Sequence, residues 1–158
     1  MQDLLNSILK DTYSISELKH RLRILKNYLS ESFFGGQKVE LTGVEDTNWL
    51  KSLPAQFFQS INKDNIYNIF TNLEADVKKL TILTMYLTFE PDTTTISQIG
   101  TFARKNFGPS LLLDIKFDPN LIAGTALVWK GNYQDYSLRS KMAQKKEEIL
   151  ESFKKFLR

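Results

Sequence analysis

Residues 118–137 read DPNLIAGTALVWKGNYQDYS, and this stretch decides what the second half of the chain is. Asp118-Pro119-Asn120 is turn chemistry, because proline fixes φ while Asp and Asn side chains bond nearby amides. Residues 121–129 then read as an apolar strand, with Gly124 marking a bulge or a close backbone approach. Lys130-Gly131-Asn132 returns the chain into a second short strand over 133–136. Asp135-Tyr136-Ser137 opens a charged helix, with Ser137 as its N-cap. Nothing in the stretch has the pattern of a catalytic site.

Upstream, the period is also two. In residues 81–89, Leu83, Met85, Leu87 and Phe89 point one way and Thr84, Tyr86 and Thr88 the other, as in a half-buried strand. Glu90-Pro91-Asp92 turns the chain, and a threonine between 93 and 95 caps a helix whose Ile96, Ile99, Ala103 and Phe107 face inward. Gly108-Pro109 ends that helix. Residues 110–117 alternate again, with Leu111, Leu113, Ile115 and Phe117 on the inner side. Strand, helix and strand in this spacing predict a βαβ unit with parallel strands.

Downstream, residues 137–158 form an amphipathic helix with Leu138, Met142, Ile149, Phe153 and Phe156 as its stripe. That segment carries seven Lys/Arg against three Glu, a charge of +4 within a chain of net +3. The excess therefore sits on one terminal helix rather than in a basic groove with aromatics, which argues against nucleic acid. It reads as a solvated face or as a face for a partner.

Residues 1–80 read as helices. Ser14-Ile15-Ser16-Glu17 fits a capping box, with Glu17 reaching back to the cap and Tyr13 stapled onto Leu18. Ile15, Leu18, Leu22, Leu25, Leu29 and Phe33 follow on one face, and Gly35-Gly36 closes the helix. Residues 37–44 read as a loop. A short helix near 46–53 stops before Pro54, and Pro54 suits the start of the next. Asn62 or Asp64 caps a helix striped by Ile66, Ile69, Phe70, Leu73, Val77 and Leu80. The expectation is an α+β chain: an N-terminal helical bundle over 1–79, then 80–158 as a small mixed β-sheet domain (βαβ plus hairpin) with a C-terminal amphipathic helix.

Composition bounds the function. With 158 residues, 42% apolar and 25% charged, the chain is an ordinary globular one rather than a disordered one. No stretch approaches the ~20 apolar residues of a membrane span, and the N-terminus lacks the basic region of a secretory signal. Zero cysteines exclude disulfides and zinc–thiolate sites, which fits a reducing, cytoplasmic setting. His20 is the only histidine, so no two-histidine metal site can be built, and it falls on a polar helix face. No glycine-rich phosphate loop is present. Asp114, Asp118 and Asp135 could share a hard cation, but their places near turns favour turn and cap roles. No cofactor, metal or small-molecule substrate is expected. An enzyme would announce itself by a carboxylate such as Asp114 or Asp118 buried without a partner.

The second half resembles the C-terminal region of the delta subunit of F-type ATP synthases, the oligomycin-sensitivity-conferring protein family. That family places D-P-x-L-I-G-G, a strand, a G-D or G-N turn, and D-x-S before a terminal helix. The matching residues are Asp118, Pro119, Leu121, Ile122 and Gly124, then Gly131-Asn132, then Asp135 and Ser137. Ala123 stands where the family has the first glycine of its pair, and the helical half is shorter than the family's bundle of about six helices. The resemblance covers residues 80–158.

It implies a non-catalytic stator subunit that joins the catalytic head to the peripheral stalk and resists rotor torque. Its implied partners are the alpha subunits, held by the helical half, and the b subunits of the stalk. The implied location is peripheral, on the cytoplasmic side of a bacterial cell membrane. Within the terminal helix, Arg139, Met142, Lys145, Lys146, Ile149 and Phe153 are the candidate contacts to the stalk. The alternative is a small α+β adaptor that binds a helical partner outside any ATPase.

Overall fold

A computed structural model describes residues 2–35 and 43–157. Gly36 and the 37–42 part of the expected loop lie outside the described residues. In chain order the elements are α1 (Gln2–Lys10), α2 (Ile15–Phe34), α3 (Val44–Ser52), α4 (Ala55–Ser60), α5 (Ile66–Val77), β1 (Ile82–Leu87), α6 (Thr93–Phe107), β2 (Leu112–Phe117), β3 (Thr125–Trp129), β4 (Asn132–Asp135), α7 (Leu138–Gln144) and α8 (Lys146–Phe156). A 3-10 turn over Pro119–Leu121 sits between β2 and β3. The chain is α+β, with a four-stranded mixed sheet and a helix at its C-terminus.

These elements belong to two compact units, Met1–Thr81 with Thr95–Leu112, and Ile82–Thr94 with Leu113–Arg158. The first is helical. Its core is built from Leu4, Leu5, Ile8 and Leu9 of α1, Leu18, Ile24, Leu25 and Leu29 of α2, and Ile66, Phe70 and Leu73 of α5, with Trp49, Leu50, Leu53, Ile61 and Leu112. Ile15, Leu22, Phe33, Ile69, Val77 and Leu80 pack half-buried around it, so both helical stripes read from the sequence line this core. Burying side chains of this size contributes about 1.5–3 kcal/mol each, which is why the stripe holds against conformational entropy.

The α2 cap departs from the box by one residue. Ser14 Oγ accepts from the Glu17 amide at 3.2 Å, but Glu17 Oε2 accepts from the amide of Tyr13, not of Ser14, at 3.1 Å. Glu17 also holds Arg21 at 2.8 Å, and the Arg21 guanidinium lies 5.4 Å over the Trp49 ring. Gly35, at φ 64, closes α2 in the left-handed region that glycine enters without a Cβ clash. Leu53 ends α3 at ψ 146, the extended geometry that a following Pro54 requires. Ahead of α5 it is Asn62 whose side chain accepts, from the amides of Asp64 and Asn65.

The junction of α1 and α2 is the polar centre of this unit. Thr12 is fully buried, donates to the Ile8 carbonyl and accepts from Arg21 at 2.6 Å. Arg104 of α6 reaches three backbone carbonyls: Leu9 at 2.8 Å, Thr12, and Leu111 at 3.0 Å. Its guanidinium also sits 4.7 Å over the Tyr13 ring. Burial pushes the Arg104 pKa down from its ordinary value, opposed by the nearby Tyr13, Glu17 and Asp11. Gly100, one turn earlier, makes room for Tyr13, since a Cβ there would stand 2.4 Å from the Tyr13 ring.

In the second unit the sheet order is β2-β1-β3-β4. The Leu112 amide bonds the Thr81 carbonyl and the Asp118 amide bonds the Leu87 carbonyl. Both partners advance together along the chain, so β1 and β2 run parallel, as the βαβ spacing predicts. β1 and β3 are antiparallel with Met85 opposite Leu127, and β3 and β4 are antiparallel with Val128 opposite Tyr133. Lys130 and Gly131, at φ 48 and 82, form the two-residue hairpin loop whose twist suits paired strands. The inward stripe fails at its ends: Phe107 and Phe117 are exposed, while Leu111, Leu113 and Ala103 are buried.

Candidate functional site

Two of the motif segments read from residues 118–137, 118–124 and 135–137, meet at one corner of the sheet unit, while the Gly131-Asn132 turn lies at the far end of the β3–β4 hairpin. Asp118 accepts from the Asn120 amide at 3.0 Å and so caps the 3-10 turn, with Pro119 in its first position, where no amide donor is needed. Residues 121–124 were expected to be strand. They are not. Leu121 is buried, and Ile122 stands at φ 68 and ψ −54 between the Leu121 carbonyl and the Ala123 amide, which bond at 2.8 Å. That is a γ-turn of the positive-φ type, a strained geometry for a β-branched residue. The Asp-Pro cap starts the 3-10 turn, which delays the strand to Thr125.

Gly124 precedes β3 rather than interrupting it. At φ 87 it lies against the next segment, where a Cβ would come within 2.7 Å of the Tyr136 carbonyl oxygen. The Leu138 amide donates to the Ala123 carbonyl at 2.8 Å, and the Tyr136 amide to the Thr125 carbonyl at 2.9 Å. Asp135 accepts from the Ser137 amide at 2.8 Å, and fully buried Ser137 accepts from the Ser140 amide at 3.1 Å, capping α7. The motif is therefore a device for launching α7 from a fixed point. Asp114, by contrast, is not a turn residue: it lies within β2, 3.6 Å from Lys116 and 3.4 Å from Thr84.

Hydrogen bonds from Ser137 hold the Asp135 carboxyl below its ordinary range. A depressed carboxylate pKa stabilises the fold above the ordinary carboxylate range, and that stabilisation is lost as pH falls through the depressed value. Thermal unfolding followed from neutral to strongly acidic pH should accordingly show part of the acid loss of Tm disappearing in Asp135→Asn.

The terminal helix is in two parts. α7 and α8 meet at Lys145 (φ −103, ψ 15), while bonds from the Lys145 amide to Lys141 and from the Ile149 amide to Lys145 carry the ladder across. Its stripe includes the candidate partner contacts Met142, Ile149 and Phe153, and neither part has a buried residue. Phe153, Phe156 and Leu157 are 61%, 87% and 82% exposed. Lys145, Ile149 and Phe153 share a shallow face with Glu148, Ser152 and Phe156. Arg139, Met142 and Lys146 are exposed and do not line it.

A second surface was not read from the sequence. Between α2 and α5 of the helical unit lies a depression of about 440 Å³ lined by Leu22, Phe70, Leu73 and Val77. Lys19, Arg23, Lys26 and Lys78 rim it, with Glu74 as the one acidic residue of the lining. The two helical stripes signalled its floor, but only their packing shows that the edge of each stripe stays open. His20, beside this rim, bonds Asp46 at 3.1 Å and Arg23 at 3.2 Å, so it links α2 to α3.

Among the described residues no group of acidic or histidine side chains could hold a metal ion, and no helix is long and apolar enough to cross a membrane. No protein-family model matches the chain, and no curated protein matches it.

Proposed function

We propose that the chain is a non-catalytic stator subunit of the delta type in a proton-translocating F-type ATP synthase, peripheral to the membrane through the complex. The observation that carries this reading is the corner itself. Asp118, Pro119, Gly124, Asp135 and Ser137, five residues of the resemblance, act on one joint, and that joint launches an amphipathic helix whose apolar face is unburied. A torque-bearing link needs two helix-receiving surfaces rather than a pocket for chemistry. The α7–α8 segment supports the contact to the b-type stalk, and the basic-rimmed depression between α2 and α5 supports the contact to the alpha subunits.

The test is affinity purification from native membranes in mild detergent, with mass spectrometry of what co-elutes. The expected result is recovery of alpha, beta and b subunits in fixed stoichiometry. Recovery of the chain alone, beside an intact ATP synthase that lacks it, would transfer it to the adaptor class.

A further inference from the structure

We infer that α8 is a self-pairing surface, through which two free copies of this chain associate as an antiparallel helix pair. An 11-residue helix is marginal in water without tertiary packing. α8 has no buried residue and shows Leu150, Phe153 and Phe156, together with the Leu157 that caps it, to solvent. An apolar face of that kind marks an interaction site rather than a scatter of single residues.

The charge order along α8 selects the occupant. Lys146 with Glu147, Glu148 and Glu151 gives its first six residues a net charge of −2, and Lys154 and Lys155 give its last five +2. Two copies laid antiparallel bring opposite halves together, whereas a parallel pair sets like against like. With Ile149 seated against Phe153 of the second copy, Glu148 on the flank of that seam falls beside Lys155 of that copy. The two-fold axis repeats the pair, as an isologous interface requires. Within one chain the ion pair on this face is Lys145 with Glu148 at 3.6 Å, both well exposed, so Glu148 is free to exchange partners. Self-pairing covers the face that any other helix would use, making it exclusive with stalk binding. The inference does not depend on the stator reading, because it concerns the chain by itself.

Sedimentation equilibrium of the full chain over micromolar to millimolar concentration tests it. The mass should rise from 18.3 kDa toward twice that value. Glu148→Lys and Lys155→Glu should each weaken association by about tenfold, since each turns two attractions into repulsions. The double variant E148K/K155E should restore it, with far-UV circular dichroism unchanged throughout. A chain that stays monomeric at every concentration overturns the inference, including one that instead floats with phosphatidylglycerol vesicles. A dimer indifferent to the three variants overturns it too.

Discussion

Arg104→Ala should lower stability by about 2–4 kcal/mol, because it strips three carbonyls of a charge-assisted donor in a partly buried place. Arg104 donates to Leu9, Thr12 and Leu111 and covers Tyr13. Leu9 and Thr12 bracket the end of α1, whose last carbonyls have no partner within the helix. The loss therefore concentrates on the seam of α1, α2 and α6. A chain of this length should lose roughly 5–12 °C in Tm. Arg104→Lys keeps the charge but not the planar fork, and should recover less than half of the difference. Differential scanning calorimetry of the three proteins decides the matter. An alanine variant within a degree of the parent would mean that these bonds carry no net stability.

Gly124→Val should cost about 3 kcal/mol, from two independent causes. A β-branched residue is strained at φ 87, and its Cβ would press on the Tyr136 carbonyl oxygen, which is backbone and cannot rotate away. Gly124→Ala keeps the close contact with a smaller side chain and should fall between. Because the joint launches α7, the valine variant should also loosen residues 137–144, visible as faster amide exchange there. Exchange confined to the rest of the sheet would contradict the role given to this joint.

The two examples differ in what the sequence reveals. Gly124 was legible as a point of close approach, because an isolated glycine inside an apolar run has few other uses. Its partner segment, two strands later, was not. Ser137, Asp135 and Asp118 were legible as caps because their partners lie two or three residues away. Arg104 was invisible: its carbonyl partners Leu9 and Thr12 lie 95 and 92 residues away, and backbone acceptors leave no side-chain signature.

The parallel βαβ unit and the hairpin followed from alternation and turn residues, but the strand order and the first four residues of the third strand did not. Leu121-Ile122-Ala123-Gly124 is as apolar as a strand, and only the capped turn ahead of it bends it into a γ-turn. The terminal helix was legible as amphipathic, but what covers its apolar stripe was not. Periodicity reports that a face is apolar, not what covers it.

The helical unit closes late on the ribosome. Its pieces are Met1–Thr81 and Thr95–Leu112, separated by residues of the sheet unit. Five helices emerge first, and Arg104 and Leu112 leave the ribosome only after them. At about 5–20 residues per second, they follow Thr81 by a few seconds. During that interval the α1–α2 joint has no guanidinium, and the early helices wait half-assembled. Cutting the gene between residues 79 and 80 would make that pause permanent, because the first fragment lacks the Thr95–Leu112 piece of the helical unit.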